Sequence, residues 1–121
     1  MILVDTSVWL DHVHLPDRLL EWLIGRNLVL SDPFVIGEAA VGRFKTRVEV
    51  LASLLDLPAA TLAEDPEVVR FITRNARFGI GIGYIDFHLL VSVKLTPGAI
   101  LWTRDKRLAM VAEDIGVAFQ P

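Results

Sequence analysis

Short apolar runs separated by longer helix-forming stretches constrain this chain most. Ile2-Leu3-Val4, Leu28-Val29-Leu30, Ala99–Trp102 and Val117–Phe119 each hold only three or four residues. They are too brief and too apolar for half-exposed strands, and read as buried ones. Between them, apolar residues recur at helical spacing. Ser7–His12 starts a helix capped by Thr6 or Ser7. Pro16 opens a second, with Leu19, Leu20, Leu23 and Ile24 in phase up to Gly25. Ser31-Asp32-Pro33 opens a helix reaching about Lys45, and Val48, Leu51, Leu54 and Leu55 mark another over Arg47–Asp56. Asp65-Pro66 opens a helix through Ala76. A glycine-spaced stretch, Gly79 to Gly83, precedes a helix over Tyr84–Leu95, and the last helix spans Asp105 to about Asp114. This alternation predicts an α/β fold with a mainly parallel sheet. The strands number four, or five if the poor strand around Leu62 forms.

A chain of 121 residues is expected to form one domain, residues 1–121, with a substantial core. The apolar share is 53%, above the usual ~45–50%. Either part of the surface is covered by a second copy or a partner, or the monomer is unusually tightly packed. The net charge of -3 gives no global attraction to nucleic acid or membranes. The absence of cysteine excludes disulfides, thiolate zinc sites and cysteine nucleophiles. No signal peptide is visible, and the greasiest segment, Ile80–Val93, is interrupted by Asp86 and His88. It is shorter than the ~18 apolar residues of a membrane span. A soluble, cytoplasmic protein without membrane contact is expected.

Most of the fifteen acidic residues read as solvated surface; four do not. Asp5 ends the first strand, and Asp105 follows the strand Ala99–Trp102. Parallel sheets gather their sites outside the carboxyl ends of strands, so both point to one edge. Glu38 lies on the apolar face of its helix, in line with Phe34, Val35 and Val41. Asp86 shares a face with Leu89, Leu90 and Val93. Each has a purely structural alternative. Asp5, Asp86 and Asp105 could cap or complement helix N-termini, and Glu38 could reach Arg43 or Arg77. Four acids on one edge would repel, by ~4 kcal/mol per pair at ~4 Å and an effective dielectric of 20. With no histidine or cysteine placed among them, all-oxygen ligation of Mg²⁺ or Mn²⁺ would offset that repulsion. Such an ion could activate water for attack on phosphorus.

Three basic groups stand out: Arg70, Arg74 and Arg77 on one helical stripe; Arg43, Lys45 and Arg47; and Arg104, Lys106 and Arg107 around Asp105. Beside an acidic site, Arg104, Lys106 and the Arg70 stripe are candidate contacts to a nucleic-acid backbone, against the alternative of ordinary solvated faces. Trp9 and Trp22 read as core, with part of that greasy surface able to receive a partner helix. The spacing of Gly79, Gly81 and Gly83 does not match a dinucleotide fingerprint.

The ordered set ILVDTSVW, SDPFVIGEAAVG, GYIDFHLL and ILWTRDKRLAMVA resembles the PIN-domain ribonucleases, and within them the VapC toxins of toxin–antitoxin pairs. The resemblance covers essentially the whole chain. It implies a three-layer α/β/α PIN-like fold, with Asp5, Glu38, Asp86 and Asp105 as catalytic metal-binding acids. Thr6, Ser7 and Thr103 would orient ligands or water from behind them; helix capping is the alternative for these three. The family's activity is endoribonucleolytic with Mg²⁺ or Mn²⁺: a metal-activated water attacks the phosphodiester and leaves a 5′-phosphate and a 3′-hydroxyl. Homodimers, and inhibition by a VapB-like antitoxin, are also implied.

Two rival readings compete. In a phospho-receiver domain, Asp56 in LLDLP would be the acceptor, but Val48, Leu51 and Leu55 place Asp56 at a helix end rather than a strand end. A catalytically silent PIN-like binding module is the other.

Overall fold

The computed structural model describes residues 1–121. Three short strands form a parallel sheet: β1 (Ile2–Val4), β2 (Val29–Leu30) and β3 (Ile100–Trp102). Their order is β2-β1-β3, with Ile2 paired to both Val29 and Ile100. Seven helices surround it: α1 (Thr6–His14), α2 (Arg18–Gly25), α3 (Pro33–Val41), α4 (Arg47–Asp56), α5 (Asp65–Arg74), α6 (Tyr84–Leu95) and α7 (Lys106–Asp114).

The expected fourth and fifth strands shrink to single parallel bridges, Leu101 with Ala118 and Ser31 with Ala59. The Val117–Phe119 run does lie at the sheet edge, where Leu101 N donates to Val117 O and Phe119 N to Leu101 O. At the opposite edge the pairing falls on Pro58–Ala60, through Ser31 N to Pro58 O and Ala60 N to Ser31 O, and not on Leu62.

Helix limits follow their caps. Asp5 caps α1, rather than Thr6 or Ser7, and Asp17 caps α2 one residue after the proline expected to open it. Gly42 turns extended and ends α3 before Lys45. Ala76 adopts a positive φ of 51°, so α5 ends at Arg74. Trp22 is 51% exposed and carries the Arg26 guanidinium 4.5 Å above its ring, so it is not core. Trp9 is buried as expected.

β1 sits at the centre because both faces and both edges of it are covered; Leu3 and Val4 are fully buried. The chain leaves β1 by α1 and α2 to reach β2, then crosses back past β1 by α3 to α6 to reach β3. By the right-handed rule for parallel crossovers, connections running in opposite directions lie on opposite faces, which makes three layers. Along α6, residues Phe87 to Val93 are all buried. The reversal of direction at β1 creates a crevice outside its carboxyl end, where ligands of such sheets bind. Asp5 stands at that point.

Candidate active site

The backbone of Asp5 is fixed by the sheet, its N–H donating to Trp102 O at 2.9 Å. The residue is 6% exposed. Its Oδ1 accepts from Thr6 N at 2.7 Å, and Oδ2 accepts from Ser7 Oγ at 2.9 Å and from Thr103 Oγ1 at 2.8 Å. Three donors offset the cost of burying a carboxylate here. Ser7 Oγ also accepts from Arg104 N at 3.0 Å, and Thr103 Oγ1 from Asp105 N at 3.1 Å. The two hydroxyls therefore tie α1 to the loop after β3, and Thr103 links Asp5 to Asp105 directly.

Asp105 caps α7, with Oδ1 accepting from Arg107 N and Leu108 N at 3.0 Å each. Capping occupies one oxygen; Oδ2 has no partner in the protein. Asp86, in the first turn of α6, caps nothing: the cap residue is Gly83, and no side-chain bond closes the helix. Its pKa is pushed up to about 6, first by burial and then by the charges of Asp5, Asp105 and Glu38. Glu38, on α3, is also raised, by burial of its carboxyl and by Asp5, with Thr6 pulling the other way. As a residue Glu38 is exposed, so the desolvation acts on a carboxyl turned toward the crevice and is modest. The Thr6 hydroxyl is buried and has no partner at hydrogen-bonding distance.

Asp86 thus feels the other three predicted acids, and Glu38 feels Asp5; three arrive from strand ends or helix starts and Glu38 from mid-helix. They do not close into a compact group of three or more ligands as the side chains stand. The two observations agree physically, since like charges lower their energy by standing apart. Two features fit a hard divalent cation: a donor set made only of oxygen, and the orphaned Thr6 hydroxyl beside Glu38 and Asp5.

The basic residues separate. Arg104 is engaged twice, its Nη1 2.6 Å from Asp11 Oδ2 and its Nη2 2.7 Å from Asp17 Oδ2. Those carboxylates raise its pKa further. Arg77 pairs with Asp114 at 3.2 Å. Both guanidiniums, expected to face RNA, are instead committed to ion pairs within the chain. Arg70 and Arg74 line a shallow groove with Lys94, Phe71 and Glu67 and form no ion pair. Lys106 is exposed and unpaired.

The sequence did not single out Asp11 and Asp17 as the holders of Arg104; only their contact across the α1–α2 turn shows it. Nor did it mark Asp32 as unusual. That residue caps Phe34 N at 2.8 Å, yet is fully buried with Oδ2 unpartnered, and burial raises its pKa. His88 packs, its ring 4.5 Å from that of Phe34.

Residues 2–114 match the PIN domain family model. The chain belongs to the PIN-domain family, and its relatives narrow the branch. It is 44% identical over 121 residues to Ribonuclease VapC32 of Mycobacterium tuberculosis, in strain CDC 1551 / Oshkosh and in strain ATCC 25618 / H37Rv. Each match covers 98% of this chain and 95% of the relative. No solved structure matches the chain.

Proposed function

We propose that this chain is a divalent-metal-dependent endoribonuclease, acting as one PIN domain and as the toxin of a toxin–antitoxin pair. The observation that carries the reading is the crevice outside β1, where Asp86 is pushed up to about 6 by burial and by three facing carboxylates. Such crowding is unfavourable for a surface that binds nothing. The 44% identity to Ribonuclease VapC32 supports the same activity.

Asp5, Glu38, Asp86 and Asp105 would hold Mg²⁺ or Mn²⁺, which when bound supplies Lewis acidity and a water of lowered pKa. Ser7 and Thr103 hold Asp5 Oδ2 in place, so the carboxylate need not reorganise as substrate arrives. Thr103 also fixes the Asp105 backbone, which keeps the free Oδ2 of Asp105 aimed outward. Below about pH 6 Asp86 would hold a proton, which would compete with cation binding. Hydrolysis joins a water oxygen to phosphorus and breaks the bond to O3′. The products are a 5′-phosphate and a 3′-hydroxyl. Of the residues expected to contact RNA, Arg70, Arg74 and Lys106 remain free to meet its backbone.

The partners proposed are RNA, a VapB-like antitoxin and a second copy of the chain. Leu15, Val41, Val48 and Leu55 are each 70% or more exposed, an apolar surface that supports coverage by a partner. No helix is long and apolar enough to cross a membrane, and the proposed setting is the cytosol.

Purified protein incubated with RNA should cleave it only when Mg²⁺ or Mn²⁺ is added. Asp5→Asn should lower the rate by roughly 10³-fold, the loss of several kcal/mol of charge stabilisation. Cleavage in a chelator, or full activity of the variant, would overturn the reading; binding without cleavage would favour the silent module.

A further inference from the structure

Arg107 differs from the other arginines around the crevice in two respects. Its guanidinium forms no ion pair and no hydrogen bond, whereas Arg104 and Arg77 are both neutralised by carboxylates. It also lies directly on the backbone of Gly81. A Cβ built at residue 81 would collide with Nη1 of Arg107 and stand only 3.0 Å from Cζ. Gly81 has a positive φ of 82°, which already disfavours a side chain. The missing side chain leaves the berth that the guanidinium fills.

The two ends of this contact belong to the two sides of the crevice. Arg107 N donates to Asp105 Oδ1, so its backbone is anchored to one acid. Gly81 lies in the loop that leads through Gly83 into α6, whose first turn carries Asp86. Asp105 and Asp86 face each other closely enough for the first to raise the pKa of the second. The Arg107 side chain therefore reaches from the start of α7 to the loop before α6, exposed and with no ion-pair partner. Holding a long side chain against backbone removes part of its rotamer entropy before any ligand arrives, which favours binding. A planar fork of donors beside an all-acid crevice suits one phosphate of a polyanion whose next phosphate enters the crevice.

We infer that Arg107, seated on Gly81, binds an RNA phosphate flanking the one that is cleaved, the role that Arg104 is prevented from playing by Asp11 and Asp17. The inference rests on the ribonuclease reading of the crevice. It is tested by binding of single-stranded RNA to the full chain in chelator, where no cleavage occurs, across a series of salt concentrations. Arg107→Ala should weaken binding roughly tenfold at moderate salt, as expected for one charge-assisted contact. The slope of log affinity against log salt should become shallower by about 0.7, one phosphate's worth for a single strand. Arg107→Lys should keep the slope and recover part of the affinity. Gly81→Ala keeps the charge but removes the berth, and should lose affinity as Arg107→Ala does while the circular dichroism spectrum is unchanged. A wild-type slope in Arg107→Ala would overturn the inference alone, because loop latching by Arg107 would change stability without changing the slope. A wild-type chain that neither binds RNA in chelator nor cleaves it with metal would overturn the ribonuclease reading, and this inference with it.

Discussion

The two sides of the acidic crevice are built on opposite principles. On the sheet side, Asp5 is buried but wired: Thr6, Ser7 and Thr103 each donate to it, and Arg104 straps the loop after β3 to Asp11 and Asp17. On the helical side, Asp86 and Glu38 are raised by burial and by their neighbours, and neither helix uses them as caps. The sheet side holds its carboxylate in place with donors; the helical side carries its charge at a cost that a cation would offset. Sheets and caps offer backbone donors at known places, whereas mid-helix Glu38 has none to spare and Asp86, though in the first turn of α6, makes no cap bond. The proposed cation site would combine one rigid wall with one adjustable wall.

Breaking the rigid wall should have the largest effect. Thr103→Val removes the donor to Asp5 Oδ2 and the acceptor for Asp105 N in one step. Initial cleavage rates should fall by roughly 10- to 100-fold, as for other groups that orient ligands from behind. Thr103→Ser should restore most of the rate. A fall of less than about twofold in Thr103→Val would mean that the two walls do not differ in the way described.

The adjustable wall is tested by pH. Asp86 has its pKa raised from 3.8 to about 6 in the fold, so the folded chain holds that proton where the unfolded chain has lost it. Stability linked to Asp86 is therefore fully present below about pH 4 and is lost as pH rises toward 6. Asp86→Asn, which mimics the protonated form, should exceed the wild type in unfolding free energy at neutral pH. With screening of a partly exposed group allowed for, the gain is about 1–2 kcal/mol. It should vanish at about pH 4, as read by urea titration at both pH values. Added Mn²⁺ should raise the Tm of the wild type and not that of Asp86→Asn, since a ligand stabilises only the state that binds it. An equal gap at both pH values would show that the charge of Asp86 is not what strains this wall.

The smallest effect belongs to the strap. Arg104 is paired with Asp11 and Asp17 at the surface, where 36% of its side chain stays exposed. Arg104→Ala should cost about 0.5–1 kcal/mol of stability at low salt and less at high salt. In a double-mutant cycle with Asp17→Asn, the coupling should account for most of that cost. A coupling near zero would make the strap a feature of geometry without energetic weight.

Much of this was legible in the chain. The short apolar runs fixed the three strands and their parallel sense, because only buried strands are so short and so uniformly apolar. The four candidate acids stood out, Asp5 and Asp105 by following apolar strands and Glu38 and Asp86 by lying on apolar helix faces. The edge strands were legible only as locations. One bridge each at Ala59 and Ala118 is what the neighbouring prolines and turns leave room for, and the sequence cannot weigh a single pair of hydrogen bonds.

The charges were where the sequence fell short. Arg104 and Arg107 look alike in the chain, each a cation beside Asp105, and Arg77 reads as one of a stripe of arginines. Tertiary contact gives Arg77 to Asp114 and Arg104 to Asp11 and Asp17, and leaves Arg107 free on Gly81. Apolar periodicity is local, repeating every two or 3.6 residues, so the sequence by itself determined the elements and the edge at which the acids meet. A charge's partner is set by distances across the fold, between residues up to 93 positions apart. For that reason only the tertiary structure decided which cations are neutralised and which are available to a polyanion.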